Sequence, residues 1–231
     1  GWVGGALAGD GKIYCAPYES NEILIIDPAT QTATRSAMGL SISGERKYSG
    51  SVLGGDGKIY CIPYSATSIL IIDPTTQTAT RSAMGVSLSD LFKFEGGVLA
   101  GDGKIYCIPA HSTNILIIDP ATQTATRSNM GVDLSGTNKW RGGVLGAEGK
   151  VYGIPASSAN TLVINPNKQT ATRPTLGAIA GDAKWCGGVL AGDGKIYCIP
   201  YFATSILMIN KNANVPSLPL RTLLSPHLNK F

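Results

Sequence analysis

Histidine is almost missing from this chain of 231 residues, which holds only two. His111 sits in a short loop and His227 in an irregular tail, neither with a repeated partner, so no converging set of metal ligands is legible and no cofactor is expected. Charge is also sparse, at 15% of residues with a surplus of +4. A surplus that mild argues against nucleic acid as a main partner. No apolar run approaches the roughly 18 residues of a membrane span. No charged-then-apolar leader stands at Gly1, as expected where a signal peptide has been removed or never existed. Nowhere do apolar residues recur at the i, i+3, i+4 spacing of a helix, and neither a G-x-S-x-G elbow nor the spacing of a phosphate loop occurs.

The five cysteines do not read as a disulfide framework. Cys15, Cys61, Cys107 and Cys198 occupy one position of a repeat, where Gly153 stands in the fourth copy, and Cys186 stands apart. Equivalent positions in successive large repeats lie beyond the ~7 Å Cα limit for a bridge. Buried free thiols are expected, which leans toward a reducing compartment. The lack of any N-x-[ST] acceptor agrees with that.

What the chain has instead is periodicity. The stretch GGVLAGDGKIYCIP runs from Gly96 to Pro109 and returns from Gly187 to Pro200. Aligning the tyrosine of each K-[IV]-Y gives Tyr14, Tyr60, Tyr106, Tyr152 and Tyr197, in steps of 46, 46, 46 and 45. An aromatic series, Trp2, Tyr48, Phe94, Trp140 and Trp185, keeps the same spacing and is preceded from the second copy onward by Lys47, Lys93, Lys139 and Lys184. A period this long signals a repeat architecture. Boundaries near 1–47, 48–93, 94–139, 140–184 and 185–231 place the whole chain in one domain of five repeats.

Within each repeat, turn chemistry separates four short segments. Asp-Gly between apolar runs is a strong hairpin signal, because the turn needs the positive φ that glycine adopts freely. Asp10, Asp56, Asp102 and Asp193 therefore read as turn formers, as do Asp27, Asp73 and Asp119. The second and third segments, such as 59–64 and 69–72, are apolar at consecutive positions, as in a strand covered on both faces. The first is glycine-rich, as expected where sheets converge. The fourth alternates and carries Arg35, Arg81, Arg127 or Arg173, expected to form a solvated basic rim. These features specify an all-β fold: a five-bladed β-propeller of four-stranded antiparallel blades, about 46 residues per repeat. The core pattern DGK-[IV]-Y followed by [IV]-[LV]-x-I-D-P-x-T resembles the blades of Kelch, NHL and YVTN propellers. Five blades resemble the tachylectin-2 class of lectins.

Antiparallel order also sorts the loops into two faces. The turns joining strands one to two and three to four are nearly constant and share one face. The loops joining strands two to three (ESNE, SATS, HSTN, SSAN, FATS) and the blade-to-blade connections share the other, where variation concentrates. Function is expected on that variable face, since stacked sheets hold its loops in place. The candidate ligand-binding residues there are Trp2, Tyr48, Phe94, Trp140 and Trp185, with Tyr18, Tyr64 and Tyr201 at the ends of second strands. Aromatic planes beside Lys, Ser and Asn donors suit a sugar or an anionic group; the competing reading is that the aromatics plug blade junctions. The expected role is a non-enzymatic binding module for a glycan or small molecule. A protein-interaction scaffold is the first alternative, and a hydrolase or lyase at the central tunnel the second.

The repeat fails after Asn210. Pro216 and Pro219 fall where the fifth outer strand is due, so an irregular last blade is expected. Ring closure would then rest on blades one and five meeting face to face, with Phe231 continuing the aromatic series. The alternatives are a fragment of a longer array or completion by another chain.

Overall fold

Each repeat folds into one antiparallel meander whose strands follow sequence order. In blade one these are Trp2–Leu7, Ile13–Pro17, Ile23–Asp27 and Thr32–Ser36. The structure, a computed structural model, describes residues 1–175 and 181–210. Blades one to four each have four strands, and the described part of blade five has three, Trp185–Leu190, Ile196–Pro200 and Leu207–Ile209. The expected irregular end of blade five, Pro216, Pro219 and Phe231 included, lies outside the described residues. The fold is a five-bladed β-propeller.

The aspartates act as turn formers at both hairpins of the constant face. Asp56 Oδ1 accepts from the Lys58 amide at 3.2 Å, and Asp73 Oδ1 from the Thr75 amide at 2.9 Å. The four repeat cysteines are buried free thiols, while Cys186 is exposed.

No blade contains a core of its own. Alternate side chains of each sheet point to opposite neighbours, so the apolar clusters form between blades. Tyr14, Ile23 and Ile25 of blade one pack with Ile59, Leu70 and Ile72 of blade two. The same arrangement joins blades two and three, three and four, and four and five. Consecutive apolar positions in strands two and three follow directly, because each face of the sheet meets a different blade.

Glycine sets the distance between blades at the axis. Gly50 holds φ 101° and Gly96 holds φ 81°. A Cβ on Gly50 would lie 3.0 Å from the Gly96 Cα, and one on Gly96 would lie 2.9 Å from the Gly142 Cα. Neither the conformation nor the space admits a side chain.

A polar latch recurs at three of the junctions, those between blades one and two, two and three, and three and four. The Tyr60 hydroxyl donates to Asp56 Oδ2 at 2.8 Å within its blade and accepts from Gln123 Nε2 of the next blade at 2.6 Å. Gln77 meets Tyr14 at 2.8 Å and Gln169 meets Tyr106 at 2.7 Å in the same way. Each glutamine sits in the left-handed region, φ 51–57°.

Two charged series differ from expectation. Lys47, Lys93, Lys139 and Lys184 are neither solvated nor directed at a ligand: they are 0–4% exposed. Their ammonium groups hold the backbone of their own connections, with Lys47 donating to the Gly44 carbonyl at 2.5 Å, Lys93 to that of Asp90, Lys139 to that of Gly136 at 2.8 Å and Lys184 to that of Gly181 at 2.8 Å. Lys139 reaches Ala110 and Ser112 carbonyls as well, at 2.9 and 3.1 Å. A buried ammonium persists because carbonyl acceptors replace its water. Nor is the arginine series a uniform rim. Arg127 donates to the Ser87 carbonyl at 2.8 Å and pairs with Asp90 at 3.0 Å, and Arg173 donates to the Asp133 carbonyl at 2.6 Å. Both tie an outer strand to the preceding connection.

The described residues leave the junction between blades five and one open. A Cβ on Gly187 would meet nothing within 4 Å, whereas its counterparts in blades one to four abut the next blade. Face-to-face closure is therefore not formed by these residues.

Candidate functional site

The inner strands of successive blades abut at their glycines, and second positions of these strands act on one another, Glu95 on Arg141 and Cys186. Those positions hold Val3, Ser49, Glu95, Arg141 and Cys186. Here the repeat gives up its regularity, with five different side chains following one aromatic series. Among them the Arg141 guanidinium and Glu95 carboxylate form an ion pair at 3.5 Å, with side chains only 23% and 19% exposed. Burial pushes the Glu95 carboxyl above its usual range, and Arg141 opposes that rise.

Aromatic side chains form an arc above this pair on the variable face. Tyr18 and Tyr64 have ring centroids 5.8 Å apart, Tyr64 and Phe92 5.3 Å, and Phe92 and His111 5.5 Å. His111 Nε2 lies 2.9 Å from Asn138 Oδ1, which carries the arc to the third connection. Arg141 lies 5.7 Å from the Tyr201 ring center, and Tyr201 stacks at 4.5 Å on Phe202. Arg46 lies 5.8 Å from the Phe92 ring center. Burial raises the phenols of Tyr18 and Tyr64, and Glu95, Arg141 and Arg46 all act on both through space. Residues from five blades thus share one electrostatic neighbourhood.

Backbone conformation aims part of this set. Arg46, Phe92, Asn138 and Ala183 each precede a buried lysine and hold φ 46–54°. The left-handed conformation costs a non-glycine residue roughly 1–2 kcal/mol. For a ring as large as Phe92 it is an outlier, and such strain gathers at functional positions.

The structure divides the eight aromatic candidates. Tyr48, Phe94, Trp140 and Trp185 are 0–2% exposed and fill the junctions between blades, while Trp2 is half-buried. Their polar atoms are engaged locally: the indole N–H donates to the Glu22 carbonyl from Trp2 at 2.7 Å, to that of Asn160 from Trp140 at 2.8 Å and to that of Ser205 from Trp185 at 2.8 Å. Tyr18, Tyr64 and Tyr201 stand in the arc. Glu95, Arg141, Phe92, Arg46 and His111 join them, although sequence reasoning passed them over. For Glu95 and Arg141 the signal was present in the inner-strand column that changes at every repeat. A separate cleft of about 200 Å³ opens between the first connection and the 65–68 loop of blade two, lined by Lys47, Ser65, Ser68 and Arg81 among others.

No family model matches this sequence, and no curated protein matches it. Solved structures do share its shape. Virginiamycin B lyase from Staphylococcus aureus superposes with a TM-score of 0.72 at 14% identity, over 91% of this chain and 67% of the lyase. The extracellular domain of BT4673 from B. thetaiotaomicron gives 0.66 at 11% identity, over 93% of this chain and 30% of that one. An auxiliary nutrient binding protein from Bacteroides ovatus gives 0.59 at 18% identity, over 85% and 56%. The chain spans about two thirds of the lyase's length. At such identities the likeness establishes the propeller fold alone, and its bearers differ in what they do.

Proposed function

We propose that this propeller is a binding module that holds a small polar ligand, with a sugar as the best-suited class, at the mouth of the axis on its variable face. The observation that carries the reading is the Glu95 and Arg141 pair under the arc of Tyr18, Tyr64, Phe92 and Tyr201. Aromatic planes stack on the C–H faces of a sugar ring, while a carboxylate and a guanidinium receive and donate hydrogen bonds to its hydroxyls. The neighbouring proteins' own activities, a lyase's included, bear on the fold only.

The test is a glycan array with the wild type, Arg141→Met and Tyr18→Ala, each checked for an unchanged circular dichroism spectrum. Binding by the wild type that both substitutions weaken at least tenfold supports the site. Equal binding by all three removes it. A silent array together with a stable protein partner in pull-down would favour an interaction platform on the same face.

A further inference from the structure

The two ends of the blade series are complementary halves of the junction that already occurs four times. On the side facing the preceding blade, Leu53, Leu99 and Leu145 are tucked against their neighbours, while the equivalent Leu7 is 60% exposed. On the side facing the following blade, Val98 and Val144 are each 8% exposed, while Val189 is 59% exposed. Ile62, Ile108 and Ile154 are fully buried there, and Ile199 is 50% exposed. Ile71 and Ile117 are 5% exposed, and their counterpart Met208 is 43% exposed.

The polar latch is divided in the same way. Tyr197 donates to Asp193 Oδ2 at 2.9 Å, as Tyr14, Tyr60 and Tyr106 do to their aspartates, and among the described residues no glutamine amide reaches it or Tyr152. Gln31 holds φ 57°, the conformation of the three latching glutamines, and no tyrosine of a preceding blade stands before it. Blade one carries the glutamine half, and blade five carries the tyrosine half. Among the described residues they do not meet, since Gly187 has nothing within 4 Å across from it and a Cβ on Gly4 would meet blade two.

We propose that a second copy of this chain occupies the open junction, with blade one of one copy seated on blade five of the other. The occupant is chosen by continuity with the established junctions. Leu7 enters the place that Leu53, Leu99 and Leu145 take in their own junctions. Val189, Ile199 and Met208 receive it, and the Gln31 amide of one copy donates to the Tyr197 hydroxyl of the other. The contact is heterologous, so it forms closed rings or open chains according to whether its rotation closes.

Sedimentation velocity on the full chain over a range of concentrations tests this. The wild type is expected to associate reversibly beyond its monomer mass of 24.0 kDa. Leu7→Glu and Val189→Glu each place a charge on one open face, and each alone should sediment as a monomer with an unchanged melting curve. Mixed together, they should form heterodimers, because each retains the face that the other has lost. Gln31→Ala, an exposed change, should weaken wild-type association roughly fivefold, the effect of one hydrogen bond. A wild type that stays monomeric overturns the proposal, as would follow if residues 211–231 of the same chain covered blade five. Failure of the two glutamate variants to complement, with the wild type associated, overturns it equally.

Discussion

Gln123 Nε2 lies 2.6 Å from the Tyr60 hydroxyl, and it crosses from blade three to blade two to do so. The hydroxyl in turn donates to Asp56, so one phenol joins a turn of its own blade to a turn of the next. Tyr60→Phe should lower stability by about 1–2 kcal/mol, since it removes both bonds from a buried site. Gln123→Ala should cost about 1 kcal/mol, and the double variant should cost less than the sum. Urea midpoints of the four proteins measure the coupling, and strict additivity would show that the latch carries no joint stability.

Gly96 and Gly187 occupy the same repeat position in opposite surroundings. Gly96→Ala must adopt φ 81° and place its Cβ 2.9 Å from the Gly142 Cα. The cost combines roughly 1–2 kcal/mol of conformational strain with about 1–3 kcal/mol of overpacking. Gly187→Ala meets nothing within 4 Å and bears only the strain of φ 72°. Thermal melts should therefore show a markedly larger loss for Gly96→Ala. Equal losses would mean that the axial contact is unimportant.

The buried Lys139 ammonium donates to three backbone carbonyls. Lys139→Met keeps most of the side-chain volume and removes the donor, so a loss of about 1–3 kcal/mol is expected in chemical denaturation. Lys168, an exposed lysine, provides the control, and Lys168→Met should change little.

Alkaline pH should unfold this protein early. Burial pushes the Cys61 and Cys198 thiols up to about 12 and the Tyr14 and Tyr48 phenols up to about 12. Above the ordinary ranges of these groups, near 8.5 and 10, the unfolded chain releases protons that the folded chain keeps, so stability falls as pH rises. Burial pulls Lys93 and Lys139 down to about 8, which works in the other direction between pH 8 and about 10.5. The urea midpoint should hold or rise slightly from pH 7 to about 9 and fall steeply beyond 10. A midpoint unchanged to pH 11 would contradict the burial of the thiols and phenols.

Much of this architecture was legible because the repeat repeats its physics. Consecutive apolar runs such as ILIID told of sheets covered on both faces, and Asp-Gly pairs marked the hairpins. The roles of Lys93 and Lys139 were not legible, because a lysine that caps carbonyls and one that faces solvent look alike until the connection is folded over it. Glu95 and Arg141 escaped notice for the opposite reason. They are 46 residues apart and meet only when blades wrap an axis, and a search for repeated residues discards the column that varies. The aromatics Tyr48, Phe94, Trp140 and Trp185 drew attention by repeating, and their burial shows how strongly a blade junction demands one large ring per blade.

The placement of every apolar cluster between blades has a consequence for synthesis. As the chain leaves the ribosome, blade one has its hairpins but nowhere to bury Tyr14, Ile23 or Ile25. Their partners extend through Leu70, Ile72 and Ala79, so this interior can form only once blade two has emerged as well. Each later blade then arrives on a finished template. Growth is stepwise, and every intermediate length displays a fresh apolar face at its leading end until the next repeat covers it.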